Sequence, residues 1–161
     1  AEAPPAISQM TAHADLRARI CSPTSVAMLL AARGGPSQWP SIVDECRDPA
    51  TGMYGVWPLA IAAAARRGVF GAVETFTRWQ EPLAVLARGI PLVASIRYES
   101  GELPGAPLVR TGGHLLVVYA ADPESVRVND PAAPDGASVT RSYPAAAFTR
   151  AWLGYRGAAY I

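Results

Sequence analysis

The chain has 161 residues, half of them apolar and 17% charged, with a formal net charge of +1. That length suits a single domain with its own core, and the balance excludes a disordered chain. A charge so near zero gives no electrostatic case for nucleic acid or an anionic membrane surface, and no apolar run reaches the roughly 20 residues needed to cross a bilayer.

Residues 1–20 read as an extended arm, then a polar loop through Thr11, His13 and Asp15, with His13 exposed. The opening Ala1-Glu2-Ala3-Pro4-Pro5-Ala6 resembles the small, proline-rich sequence that follows a removed signal peptide. All 14 basic residues are arginine and alanine is abundant, as in GC-rich bacterial genomes. A secreted or periplasmic bacterial protein is the resulting expectation. Behind Cys21, Ser22, Thr24 and Ser25 are capping residues and Pro23 suits a first helical turn, while Val26, Leu29 and Leu30 recur at i, i+3, i+4. They predict a helix over 22–33, stopped by Gly34-Gly35-Pro36. A thiol at its mouth feels the positive end of the helix dipole, which favours the thiolate. Taken alone, the stretch equally describes a buried cysteine capping a core helix.

Further helices are predicted over 39–47, 56–67 and 80–88, the last two ended by Gly68 and Gly89. Trp57 and Trp79 at their starts read as core, as does Cys46 beside Ile42 and Val43. Two cysteines make no disulfide framework, so both are expected as free thiols. The period then changes. Strands are predicted over 92–98, 115–120 and 126–129, the last two joined by the turn Asp122-Pro123-Glu124-Ser125, with further strands over 139–143 and 158–161 and a short helix over 144–152 between them. Helices first, strands after, describes an α+β domain of two packed layers over 1–161: arm 1–20, mainly helical 21–90, mainly antiparallel sheet 91–161.

Only two histidines are present. His114 follows Thr111-Gly112-Gly113 and precedes an apolar run, which puts it at the entrance of a strand, at the sheet's edge. Asp130 lies sixteen residues on, where the next strand closes in Asn129-Asp130-Pro131. In a hairpin the start of one strand lies beside the end of its antiparallel partner. His114 and Asp130 can therefore be neighbours, with one ring nitrogen bonded to the carboxylate and the other free for a thiol. Asn129 is the other candidate for that orienting role. Residues 99–108, rich in glycine and proline, border this region as either a shaped, movable loop or an ordinary strand connection.

Ser8-Gln9-Met10, Cys21-Ser22-Pro23-Thr24-Ser25, Gly113-His114-Leu115-Leu116-Val117-Val118 and Val128-Asn129-Asp130-Pro131 occur in that order. Together they resemble the stand-alone papain-like cysteine peptidases akin to the bacteriocin-processing, double-glycine peptidases (family C-thirty-nine-like). The resemblance runs from Ser8 to Trp152 and takes in Gly89-Ile90-Pro91-Leu92-Val93 and Phe148-Thr149-Arg150-Ala151-Trp152. It implies a papain-like fold, with Cys21 as nucleophile, His114 as general base and then acid, and Asp130 rather than Asn129 as the residue that fixes the imidazole. It also implies that the Gln9 amide and the Cys21 backbone N–H receive the oxyanion. Two departures stand out. Ser22 occupies a position where the wider family usually has glycine, and its Cβ would narrow substrate approach. Twelve residues separate Gln9 from Cys21, more than papain-like enzymes usually show.

The resulting expectation is a cysteine peptidase cleaving an amide bond through an acyl-enzyme. It would need no cofactor or metal, and would act as a monomer on a peptide or protein substrate. The double-glycine leaders of the relatives are not implied as substrates, since the chain has no transporter segment. An acyl transferase or transpeptidase, and a non-catalytic module binding peptide or cell-wall material, are the alternatives.

Overall fold

A computed structural model describes residues 1–34 and 38–161. Five helices occur among them: α1 Cys21–Ala31, α2 Trp39–Glu45, α3 Trp57–Ala65, α4 Gln80–Ala87 and α5 Ala145–Trp152. The six strands are β1 Val73–Thr75, β2 Leu92–Tyr98, β3 Thr111–Ala121, β4 Ser125–Asn129, β5 Thr140–Pro144 and β6 Ala158–Tyr160. They form one sheet in the order β1-β6-β2-β3-β4-β5, with every pair antiparallel. The chain is thus α+β, with four of the five helices ahead of β2, β1 between α3 and α4, and α5 between β5 and β6.

The sheet has a core on each face because successive strand residues point to opposite sides. Leu92, Ala94, Ile96, Leu116 and Val118 join Phe148 and Trp152 of α5 and Leu86 of α4. Val93, Leu115 and Val117 join Val26 and Met28 of α1, Ile42 of α2 and Cys46 at its C-terminus, and Ala60 and Ala63 of α3. The expected single helical layer is therefore two, with the sheet between. Residues 92–96 of β2 and 114–120 of β3 are accordingly buried on both faces.

Most elements match the sequence expectation within two residues. Two do not. β1 pairs with β6, Val73 opposite Tyr160, although all three of its residues are exposed and carry no alternating signal. What admits the pairing is Gly157, at φ +63°, where a Cβ would collide with the Phe76 carbonyl. β3 begins at Thr111, with Thr111 opposite Tyr98, so His114 is the fourth residue of an interior strand and not at its entrance. Of the predicted stop after α1, Gly34 has the left-handed φ of +84°, while Gly35 and Pro36 lie outside the described residues.

Candidate active site

The N-terminus of α1 is built differently from its sequence reading. The cap position is Ile20, with no side-chain cap bond. The hydroxyls are buried within the first turns and tie the helix to its neighbours instead. Ser25 Oγ donates to the Leu115 carbonyl (3.2 Å), and Thr24 Oγ1 accepts from Trp39 Nε1 (2.9 Å). Pro23 has no N–H, so the unpaired donors of the first turn are concentrated at Cys21 and Ser22. Cys21 is half-buried, Cys46 fully buried, and both are free thiols.

His114 and Asp130 meet where β4 ends. The β3–β4 ladder stops at Val117 opposite Asn129, so β3 runs on unpaired on that side past the Asp130 turn. Both side chains are buried, and His114 Nε2 lies 2.8 Å from Asp130 Oδ1. Nδ1 is the nitrogen left for the thiol. Asp130 Oδ1 also accepts from the Ala132 N–H (3.0 Å), and Oδ2 from the Tyr143 hydroxyl (2.6 Å).

These contacts set the charges. Burial alone would suppress the imidazolium, but the Asp130 charge and hydrogen bond, followed by Cys21, outweigh it and push His114 up to about 10. Burial likewise opposes the Cys21 thiolate. The hydrogen bond and charge of His114, then the Leu115 and Ser22 N–H groups, outweigh that and hold the thiol below its ordinary value. For Asp130 the burial cost is overcome by His114, Tyr143 and the Ala132 N–H, which keep the carboxylate ionised. A thiol held low against an imidazole held high favours the thiolate–imidazolium form over the neutral pair.

Asn129 faces elsewhere. Its Nδ2 donates to the Pro4 carbonyl (2.8 Å) and its Oδ1 accepts from Thr140 Oγ1 (2.8 Å), so it ties the N-terminal arm to β5. Gln9 starts a short 3-10 turn and is buried, with its backbone N–H on the Pro131 carbonyl at 2.9 Å. Its Nε2 donates to the Arg17 carbonyl (2.6 Å), while Oε1 has no partner among the described residues. The long Gln9–Cys21 segment folds back through turns at Leu16–Arg19 to make that contact. An amide nitrogen carries two hydrogens, so one remains uncommitted.

Ser22 is fully buried, with its hydroxyl 2.8 Å from that of Tyr160. Its Cβ therefore points into the fold and does not narrow substrate approach. Residues 99–108 are pinned: Leu103 is in the core, Arg141 Nη1 donates to the Gly105 carbonyl, and Tyr98 donates to the Leu108 carbonyl. Trp57 packs edge-on against Tyr160 and Trp79 against Trp152, both half-buried, and His13 is exposed. A cavity of about 450 Å³ at the other end of α1, between Leu29, Leu30, Ile61 and Val69, includes none of the candidate residues. Tyr143 and the donors of Leu115 and Ala132 had no sequence signal, because backbone N–H groups carry none and a strand tyrosine reads as core.

The family described as "Peptidase_C39 like family" matches residues 3–160. The chain belongs to that family. Two crystal structures share its fold. One is a double glycine motif protease from an AMS/PCAT transporter in complex with the leader peptide, with a TM-score of 0.64 and 19% identity, over 98% of this chain and 89% of that one. The other is assigned as a C39-like peptidase from Bacillus anthracis, with a TM-score of 0.67 and 17% identity, over 100% and 98%. No protein of curated function matches the chain. Family membership makes this C39-like chain a peptidase, a hydrolase, and the mixed helix and antiparallel sheet matches the papain-like neighbours. No helix among the described residues is long and apolar enough to cross a membrane.

Proposed function

We propose that this C39-like peptidase cleaves peptide bonds with Cys21 as nucleophile, His114 as base and acid, Asp130 as the residue that orients the imidazole, and Gln9 as an oxyanion donor. The observation that carries the reading is the buried His114 ring, bonded to Asp130 at 2.8 Å, with the Cys21 thiol held below its ordinary value by that imidazole. Its neighbour in fold, crystallised with a leader peptide, supports a peptide as the substrate class.

The Cys21 thiolate attacks the carbonyl carbon of the scissile amide, and the oxygen takes up the negative charge. The Cys21 N–H and the uncommitted Gln9 amide hydrogen receive that oxyanion. One such donor contributes roughly 3 kcal/mol to barrier reduction in other acyl-transfer enzymes. The His114 imidazolium gives its proton to the departing amine, leaving a thioester on Cys21. Water, deprotonated by the now neutral imidazole, attacks the thioester and releases the carboxylic acid product with the thiolate and imidazolium restored.

Iodoacetamide tests the assignment without knowledge of the substrate. Cys21 should be alkylated at neutral pH far ahead of Cys46, whose thiol burial and then the Glu45 charge push up to about 11. One equivalent on Cys21 should abolish cleavage. Equal, slow labelling of both cysteines would overturn the assignment.

A further inference from the structure

Asp130 is gripped from both sides of the chain that carries it. His114 on β3 and the Ala132 N–H share Oδ1, while Oδ2 has one donor among the described residues, the Tyr143 hydroxyl on β5 at 2.6 Å. The Tyr143 ring is 1% exposed and stacks on Phe148 of α5, with centroids 6.1 Å apart and planes 12° from parallel. Phe148 in turn meets the Trp152 ring edge-on at 5.9 Å. An aromatic stack from the α5 face thus ends on the carboxylate that holds the histidine, while the thiol comes from α1 on the opposite face.

We propose that Tyr143 is a positioning residue, whose hydroxyl fixes the Asp130 carboxylate in its ionised form and in line with His114, and so maintains the Cys21 thiolate. The inference rests on the reading of Cys21, His114 and Asp130 as the reacting set. A carboxylate has two oxygens to satisfy, and a buried oxygen without a donor loses its hydration with no compensation. Without the hydroxyl, Asp130 takes up a proton at higher pH and turns more freely about its side-chain bond. A protonated Asp130 cannot support the imidazolium, and it is that imidazolium that lets the thiolate form below the ordinary thiol pKa.

The groups facing this carboxylate are His114 from β3, Tyr143 from β5 and, more distantly, Tyr98 from β2; the Arg141 charge acts on both tyrosines. Burial, then the Asp130 charge, pushes the Tyr143 hydroxyl far above its ordinary value, so it stays a neutral donor. Of these groups Asp130 alone titrates on the acid side, since His114, pushed up to about 10, keeps its proton until the alkaline side.

Tyr143→Phe keeps the ring and its stacking and removes one oxygen. The readout is the rate of Cys21 alkylation by iodoacetamide against pH, together with kcat and KM on a peptide substrate. The acid limb should move up by about one pH unit, equal to about a tenfold loss of rate at the foot of the limb. kcat should fall about tenfold with KM unchanged. Trp152→Phe, in the same aromatic cluster but away from Asp130, should lower thermal stability without moving the limb. In an Asp130→Ala background, Tyr143→Phe should add no further loss, because its route of action is gone. An unmoved limb, a full additional loss in that background, or a Tyr143→Phe chain that fails to fold would each overturn the inference. The wild-type curve separates this from the underlying assignment. Fast Cys21 labelling with a limb indifferent to Tyr143 sinks only the positioning role, whereas slow Cys21 labelling sinks the active site itself.

Discussion

The Ser22 hydroxyl lies 2.8 Å from the Tyr160 hydroxyl, both side chains buried between α1 and the sheet. The residue after the candidate nucleophile therefore anchors the helix to β6, with its side chain fully buried. Ser22→Ala should destabilise the fold by about 1–3 kcal/mol, since it strands a buried phenol. It should leave kcat/KM within a factor of about two. Urea unfolding and steady-state kinetics on the same variant measure both. A large gain in kcat/KM from removing the hydroxyl would show that Ser22 obstructs the cleft after all.

The pH dependence follows from two shifts of opposite sign. The Cys21 thiol is held below its ordinary value, so the thiolate is gained on the acid side as pH rises. His114 is raised to about 10, so the imidazolium is lost only on the alkaline side. kcat/KM should rise, stay level through neutrality and fall as pH approaches about 10, with both limbs belonging to the pair. Alkylation of Cys21 should share the acid limb but not the alkaline one, because a thiolate remains nucleophilic without its acid partner. An alkaline limb near pH 7 in kcat/KM would contradict the His114–Asp130 contact.

Asn129 and Asp130 are adjacent in sequence and opposite in consequence. Asp130→Ala should cost roughly 10⁴ in kcat, by analogy with carboxylate removal in other triads, and should also destabilise the fold, since it strands the Tyr143 hydroxyl, the Ala132 N–H and the His114 ring. Asn129→Ala strands the Pro4 carbonyl and the Thr140 hydroxyl, so it should cost about 1–3 kcal/mol of stability with little effect on kcat. Denaturation and turnover measured on the two variants should show both destabilised and only Asp130→Ala inactive; a kcat loss at Asn129 rivalling that at Asp130 would reverse the assignment.

Much of the architecture was legible because its signals are local. Period-3.6 spacing, proline at helix starts, apolar runs and the Asp122–Ser125 turn each fix an element without knowledge of its partners. The misses share a cause. Thr111-Gly112-Gly113 reads as loop since glycine contributes no pattern, yet its backbone extends β3 and carries His114 into the sheet. β1 exists only because β6 offers an edge that Gly157 leaves open. The hydroxyls of Ser22, Thr24 and Ser25 suggest caps, but their partners Tyr160, Trp39 and Leu115 are distant in sequence. At the candidate site, the order of Cys21, His114 and Asp130 was visible and the hairpin argument brought the last two together. Tyr143 was not visible, since nothing local distinguishes a tyrosine that ends on a carboxylate from one that fills a core.

The most direct test replaces the sulfur. With a peptide that the wild-type chain cleaves, kcat/KM should be measured for Cys21→Ala alongside a demonstration that the variant melts as the wild type does. The expected result is a loss of about 10⁴-fold or more, with His114→Ala costing nearly as much because the members act as a unit. A folded Cys21→Ala chain that still cleaves the peptide at the wild-type rate would contradict Cys21 as the nucleophile.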